Sequence, residues 1–341
     1  MRLLFKKILL IQTAFIGDVI LASGMIEKLK EYYPEAKIDV LIKKENHSIL
    51  SNHPFINHLY LFNKSFKYKE MWRLIREIRN EQYDLVINLH RFGSSGIIAG
   101  LSGGKARVGF KKNPFSFLNT KSFHHSIGEK DNYRHEVERN HSLIKNFADS
   151  IPAKPKLHLQ SIDLENVKKY QNSNYICIAP ASVWFTKQFP ISKWIDFIKL
   201  LPDNFQIYLL GGPGDQALLS DIVSSLPQGR IISLAGKLSL IESAALMKGA
   251  LLNFVNDSGP LHLASAVNAN VCAIFCSTIP AFGFGPLSDF SRIVEIDYNL
   301  HCRPCNLHGF KICPEGHFKC GNDINIQKLL QVFQEVLLLK S

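Results

Sequence analysis

No stretch of this sequence approaches the ~18–20 uninterrupted apolar residues of a spanning helix, which excludes a helical integral membrane protein. Cysteine is scarce: there are seven in 341 residues, an odd number far below the density of a disulfide scaffold, and thiols in a reducing compartment are the default. Neither G-x-G-x-x-G nor a P-loop is present, which argues against dinucleotide oxidoreductases and P-loop kinases. Zinc-finger spacing, RNP-type aromatics and basic-region heptads are also missing, so nucleic acid is not an expected partner. Compositional bias is absent as well. The 46% hydrophobic and 20% charged residues resemble those of ordinary globular chains, and this excludes disorder and low-complexity architectures.

Acidic residues are missing from one long interval. Between Asp84 and Glu129 there is none, while Arg91, Lys105, Arg107, Lys111, Lys112 and Lys121 fall there and His124 and His125 follow. The net charge of +11 is uneven in the same sense: residues 1–150 hold 24 Lys/Arg against 15 Asp/Glu, and the remainder 16 against 14. The interval is expected to carry positive potential. It is either a solvated loop or a surface for an anionic partner, such as a phosphorylated substrate or acidic lipid headgroups.

The amino-terminal residues superficially resemble a secretory signal, with basic Met1–Lys7 ahead of a largely apolar run to Ile26. Asp18 inside that run is unfavourable in a signal core. Ile8-Leu9-Leu10-Ile11 followed by Gly17 reads better as a buried strand ending at a turn, so the chain is expected to fold from its first residues, in the cytoplasm.

A length of 341 residues suggests two domains, and the patterning agrees. Short apolar runs at Ile8–Gln12, Ile38–Ile42, Leu59–Phe62 and Leu85–Leu89 read as strands. Helical spacing separates them, most clearly over Asp18–Tyr33 before Pro34. The second half repeats the scheme, with strands at Tyr175–Ala179, Ile207–Leu210, Ile231–Leu234, Leu251–Val255 and Val271–Phe275. Helices are expected near Ser192–Leu200, Asp215–Ser225, Ile241–Lys248 and Gly259–Ala266. This alternation predicts an α/β fold of two doubly wound, Rossmann-like lobes facing a cleft. The first covers residues 1–150 and the second 175–341, joined by a linker over 151–174 that has lost the rhythm.

Ligands of such sheets sit at the carboxyl ends of the strands, which directs attention to four turns. In Thr13-Ala14-Phe15-Ile16-Gly17-Asp18, Gly17 permits close approach and Asp18 is either a helix cap or a general base. Ala179–Pro190 carries the Ser182 hydroxyl and Lys187, a residue that either lies in solvent or holds a diphosphate. Gly211-Gly212-Pro213-Gly214-Asp215 is a glycine-rich turn of weak specificity. In Asn256-Asp257-Ser258-Gly259-Pro260-Leu261-His262-Leu263-Ala264, Pro260 suits a first helical turn whose amides face a ligand, so the turn is an ordinary helix start or a diphosphate seat.

The Asn256–Ala264 block, with Gly17-Asp18-Val19 near the start and Lys187-x-Phe-Pro between them, resembles the ADP-heptose:lipopolysaccharide heptosyltransferases (glycosyltransferase family 9) over Lys7 to about Ile324. The spacing from Pro180 to Lys187 and the late cysteines look most like heptosyltransferase II. The resemblance implies a GT-B fold, with an acceptor-binding first lobe and a sugar-nucleotide-binding second lobe, and an inverting transfer with no obligatory metal or other cofactor. It implies Asp18 as the base and Lys187 as the cation that neutralises the departing ADP. Thr13, Gly17, Ser182, Gly212, Asp215 and the Asp257-Ser258-Gly259-Pro260-Leu261-His262 turn are implied on the donor side, Asp215 at the ribose or base. Arg107, Lys111 and Lys112 would meet a phosphorylated lipopolysaccharide core or lipid A acceptor, with peripheral contact to the anionic inner face of the inner membrane. Other nucleotide sugars, a protein acceptor or non-catalytic sugar-nucleotide binding are the alternatives. Two departures bear on the donor: Ile20-Leu21-Ala22-Ser23 lacks the proline the family often has there, and Ser182 stands where threonine or glutamate is common.

Cys302-x-x-Cys305 with Cys313 and Cys320 could ligate a structural zinc, pair as a disulfide, or remain free thiols; the later gaps are not a standard paired arrangement. Cys177, Cys272 and Cys276 lie in or beside expected strands and read as small core residues. The basic interval generates a test. Replacing Arg107, Lys111 and Lys112 with neutral residues should raise acceptor KM and blunt its salt dependence, with donor affinity unchanged; steady-state kinetics at two ionic strengths measures this.

Overall fold

The computed structural model describes residues 5–129, 132–227 and 229–340. Met1–Leu4, at which the expected first domain begins, lie outside the described residues. The chain divides into two compact units, with the division between His158 and Leu159.

The first unit contains β1 (Lys7–Gln12), α1 (Ile16–Tyr32), β2 (Lys37–Lys43), α2 (His47–Leu50), β3 (Ile56–Phe62) and α3 (Lys67–Asn80). It continues with β4 (Leu85–Asn88), α4 (Gly93–Leu101), β5 (Ala106–Phe110), β6 (Lys121–Phe123), a short antiparallel pair β7 (Gly128–Glu129) and β8 (Asn132–Tyr133), and α5 (Glu136–His141). Six strands form one parallel sheet in the order β3-β2-β1-β4-β5-β6. Ile8, Leu9, Leu10 and Ile11 of β1 are wholly buried, the continuous apolar run expected of a parallel strand covered on both faces.

The second unit repeats the plan with α6 (Ser161–Lys168), β9 (Tyr175–Ala179), α7 (Ile191–Leu200), β10 (Gln206–Leu209), α8 (Gln216–Ser224), β11 (Ile231–Ser233) and α9 (Leu240–Gly249). It ends with β12 (Asn253–Asn256), α10 (Gly259–Ala266), β13 (Val271–Ile274), β14 (Ser291–Val294), α11 (Lys319–Asn322) and α12 (Ile326–Lys340). The sheet order is β11-β10-β9-β12-β13-β14, again all parallel. Its core joins Ile176, Ile178, Trp194, Phe197 and Phe254 with Phe333 of α12. Among the described residues no helix is long and apolar enough to cross a membrane.

Two segments differ from expectation. The basic interval is not one loop, because β5 and β6 run through it, and Val108 and Phe110 of β5 are buried beside their charged neighbours. The stretch expected to be an irregular linker holds α6, in which only Val167 is buried; one anchored position leaves no periodic signal.

Residues that follow α5 return along α1. The Lys156 N–H donates to Ser23 Oγ at 2.8 Å, and a β-carbon on Gly24 would sit 2.5 Å from the Ala153 carbonyl oxygen and 2.8 Å from that of Lys154. Those are backbone atoms that cannot swing aside. Gly24→Ala should therefore destabilise the first unit by ~1–3 kcal/mol, read as a lowered Tm in thermal unfolding.

Candidate active site

In both sheets the chain order reverses beside the central strand, so the loops after β1 and β4, and after β9 and β12, leave toward opposite faces and open a crevice at the carboxyl edge. In the first unit this point carries Asp18, in the first turn of α1. The helix is capped at Phe15 with no side-chain hydrogen bond, so Asp18 is not its N-cap residue. Burial, and next the Glu136 carboxylate, raise the Asp18 carboxyl from 3.8 to about 7, against the opposing pull of Arg91 and the backbone N–H groups of Phe15 and Asp18.

Glu136 and Arg91 belong to a chain of buried groups. Arg91 donates to His125 Nδ1 at 3.1 Å; that nitrogen is therefore the acceptor, and Nε2–H is left to donate to Glu136 Oε2 at 3.2 Å. Arg139 Nε adds a 2.7 Å bond to the same oxygen. Burial opposes ionisation of Glu136, but the His125 bond and the Arg139 and Arg91 charges outweigh it and hold the carboxyl at about 2. A fixed negative charge thus stands near Asp18.

Thr13 is wholly buried. Its hydroxyl is hydrogen-bonded to His90 Nδ1 at 2.9 Å, and its carbonyl accepts from Lys64 Nζ at 2.9 Å. Burial, followed by the Lys64, Lys43 and Arg91 charges, lowers His90 to about 3 and keeps it neutral. Burial and then Lys43 lower Lys64 to about 8. Arg107 is committed to the fold, donating to the Leu118 and Gly104 carbonyls at 3.0 and 2.6 Å. Lys111 contacts His124 Nε2 at 3.0 Å, and Lys112 is exposed.

In the second unit the corresponding edge brings Lys187 and Asp257 together. Lys187 Nζ lies 2.7 Å from Asp257 Oδ2, with side-chain exposures of 14% and 7%, so Lys187 is not a solvated surface lysine. Thr278 Oγ1 donates to the same carboxylate oxygen at 2.6 Å. Asn256, wholly buried, joins the two loops: its amide donates to the Pro180 carbonyl at 2.7 Å and accepts from the Phe189 N–H at 3.0 Å. Ser258 precedes α10 with no side-chain cap, and Pro260 lies in the first turn; Pro260 has no N–H and the Leu261 N–H donates to the Ser258 carbonyl at 3.1 Å, so it is the Gly259 N–H that faces an anion at this helix start. Leu261 and His262 are buried behind that turn. Ser182 Oγ accepts from the Trp184 N–H at 3.4 Å. Asp215 closes its glycine turn by accepting from the Gly212 N–H at 2.7 Å.

The cysteine segment reaches this site from behind. Phe310 N–H donates to Thr186 Oγ1 at 2.8 Å, the Thr186 N–H donates to the Phe310 carbonyl at 3.0 Å, and Cys305 N–H donates to the Ser277 carbonyl at 3.1 Å. Arg303 donates to the Cys276 and Thr278 carbonyls at 2.6 and 2.8 Å. Gly309 has φ +81° and lies so close that a β-carbon would be 2.9 Å from Lys187 Cγ and 3.0 Å from Thr186 Oγ1. All seven cysteines are free thiols, and no three of the Cys302, Cys305, Cys313 and Cys320 sulfurs come within 4.8 Å of one another. The structure gathers them into neither a metal-ligand set nor a disulfide. Cys177, Cys272 and Cys276 are wholly buried in the core.

Sequence reasoning missed Glu136, Thr278 and Gly309, and met His125 only beside the basic interval. None of them sits in a recognisable motif, and each acts through a partner distant in the chain. Arg91 and Asn256 were visible only as members of the basic interval and of the Asn-Asp-Ser-Gly block.

Two Rossmann-like units, each with its polar residues at the reversal point of a parallel sheet, have the architecture of a GT-B glycosyltransferase. Residues 71–309 match glycosyltransferase family 9 (heptosyltransferase). The chain is 31% identical over 284 residues to lipopolysaccharide heptosyltransferase 3 of Escherichia coli, covering 77% of this chain and 82% of that protein. It is 24% identical to lipopolysaccharide heptosyltransferase 2 of E. coli K12, over 97% of this chain and 99% of that one. A family 9 glycosyltransferase structure from Veillonella parvula superposes with TM-score 0.85 at 21% identity, covering 99% of both chains. E. coli ADP-heptose lps heptosyltransferase II superposes with TM-score 0.79 at 22% identity, covering 98% of this chain and 99% of that one. The chain belongs to glycosyltransferase family 9, the heptosyltransferases, and is a glycosyltransferase. The matched region contains Lys187 and the Asn256–Ala264 block and begins after Asp18.

The Gly309 contact yields an expected outcome. Gly309→Ala must displace Lys187 or strain the loop, and a ~1 Å misplacement carried into a catalytic site costs on the order of 10²-fold. Transferase kcat should fall by that order while far-UV circular dichroism remains unchanged.

Proposed function

We propose that this enzyme transfers heptose from ADP-heptose to the inner core of lipopolysaccharide, with inversion at the anomeric carbon and Asp18 as the general base. The observation that carries the reading is the Asp18 carboxyl, held at about 7 by burial and the Glu136 charge and standing at the carboxyl end of the first sheet's central strand. A base with that pKa is ionised in half the molecules at neutrality and still binds a proton well. It takes the proton of the acceptor hydroxyl as the oxygen attacks the anomeric carbon; the bond from that carbon to the diphosphate breaks, and ADP departs.

Lys187, steadied by Asp257 and Thr278, and the Gly259 N–H at the start of α10 neutralise the charge that gathers on the leaving diphosphate. Ser182, Gly212 and Asp215 line the donor side, and His262 supports the turn; Thr13, through its carbonyl and hydroxyl, shapes the loop before Gly17. The acceptor is a phosphorylated core or lipid A, met by Lys111 and Lys112, with Arg107 holding the strand that presents them. No obligatory cofactor takes part, and the enzyme works peripherally at the cytoplasmic face of the inner membrane. That relatives of this chain are named as lipopolysaccharide heptosyltransferases, and one solved structure as an ADP-heptose enzyme, supports the choice of donor and acceptor.

Asp18→Asn separates the roles, since asparagine keeps shape and local hydrogen bonding but cannot take the proton. ADP release from ADP-heptose with a delipidated core acceptor should fall at least ~100-fold in kcat, with donor binding retained. In the unaltered enzyme, kcat/KM should rise with pH through about 7, the value to which Asp18 is raised. Stability runs the opposite way. A carboxyl raised from 3.8 contributes most below that value and loses its contribution as pH climbs through about 7. The Asn variant should therefore gain Tm relative to the unaltered protein over that interval. More than about a tenth of normal kcat in the variant would sink the assignment of the base.

A further inference from the structure

Glu27, His53 and His158 meet in the first unit, apart from every residue assigned to the transfer. Glu27 lies on α1, His53 in the turn between α2 and β3, and His158 at the end of the segment that returns along α1. His158 Nε2 is 2.7 Å from Glu27 Oε1, and His53 Nε2 is 3.4 Å from the same oxygen. All three ligand atoms fall within 4.8 Å of one another, and this is the one such group of histidine, cysteine and carboxylate atoms among the described residues. The two imidazole rings pack at 4.7 Å between centroids, 68° apart.

We propose that these three side chains bind one divalent transition-metal ion of the zinc class, through two imidazole nitrogens and a carboxylate oxygen, with water completing the shell. Bonds of about 2.0–2.1 Å to a tetrahedral ion set neighbouring ligands about 3.3 Å apart, close to the 3.4 Å edge already present. The His53 side chain is 1% exposed, and its Nε2 makes no hydrogen bond of acceptable geometry, although it comes within 3.4 Å of Glu27 Oε1. A buried nitrogen aimed at a carboxylate without a proper bond is a donor atom in want of a partner.

Loading requires two small adjustments. His53 Nδ1 accepts a long 3.3 Å bond from the Phe55 N–H, which places the ring proton on Nε2. When the ion takes the Nε2 lone pair, that proton moves to Nδ1, the long bond is surrendered, and no net proton is released by this ring. Lys156 Nζ, 3.8 Å from the other Glu27 oxygen and 57% exposed on its side chain, moves out into water. Two imidazoles and one carboxylate favour zinc, cobalt or nickel over magnesium and calcium. The ion would clip α1, the turn after α2 and the returning segment into one body, a structural task independent of the transfer chemistry.

The test uses full-length protein without a polyhistidine tag, stripped with chelator, its thiols alkylated so that the late cysteines cannot bind metal. Titration with cobalt(II) alone should give one equivalent with visible d–d bands and no thiolate charge-transfer band, and zinc(II) should raise the Tm by several degrees. Both effects should be lost in His158→Gln, whose partly exposed ring makes it tolerant of change, and in Glu27→Gln. Circular dichroism of both variants in chelator should match that of the stripped parent. Absence of saturable cobalt binding at stoichiometric concentrations would overturn the proposal, as would identical binding by the His158→Gln protein.

Discussion

Parallel strand pairing is the constraint on which everything else here rests. It sends the carboxyl end of every strand to one edge of the sheet, and the order β3-β2-β1-β4 in one unit and β10-β9-β12 in the other splits the loops on either side of the central strands. Backbone that would otherwise be covered by a crossover helix is open at those points alone. Asp18 follows β1, and Arg91 follows β4; Lys187 follows β9, and Asp257 follows β12. Each unit has therefore placed a charged group on each side of its own reversal, and the chemistry of the residues fills a geometry that hydrogen bonding between strands had already determined.

Charges at such points are half out of water, and each unit manages the cost differently. The second unit pairs its charges directly: Lys187 against Asp257, with Thr278 on the same oxygen. Removing one member of a buried pair leaves the other uncompensated, at a penalty of about 3–5 kcal/mol, so the pair is held as a unit. The first unit does the reverse. Its strong pairing is one step removed, in Glu136 with Arg139 and His125, and the resulting fixed negative charge is left to act on Asp18. One arrangement sets a cation against its counter-ion; the other keeps a carboxyl close to the point where it can exchange a proton.

Much of this was legible in the sequence. β9 and α10 fall on their expected bounds because a wholly apolar pentapeptide and a proline-started helix leave little freedom. The four turns that carry polar residues were readable because parallel sheets put ligands in one kind of place. What could not be read were pairings between distant positions. Glu136 lies in an unremarkable charged stretch, and nothing local announces that it will face Asp18. Val108 and Phe110 alternate with Arg107 and Gly109, but two large apolar residues flanked by lysines are too short a run to mark β5 as a strand. α6 contributes a single buried side chain. Glu27, His53 and His158 have no spacing that any metal motif prescribes; only the path of the chain along α1 brings them together.

The hold that the cysteine segment has on Thr186 spans 124 residues, and it bears on how the enzyme is made. A ribosome delivers Lys187 long before it delivers Gly309 and Phe310, which follow β14 in the chain. During that interval the lysine has no wall behind it. A chain cut short before this segment would lack both the wall behind Lys187 and the α12 side chains, Phe333 among them, that complete the core of the second unit. The surroundings of Lys187 are thus complete only when nearly the whole polypeptide is in place.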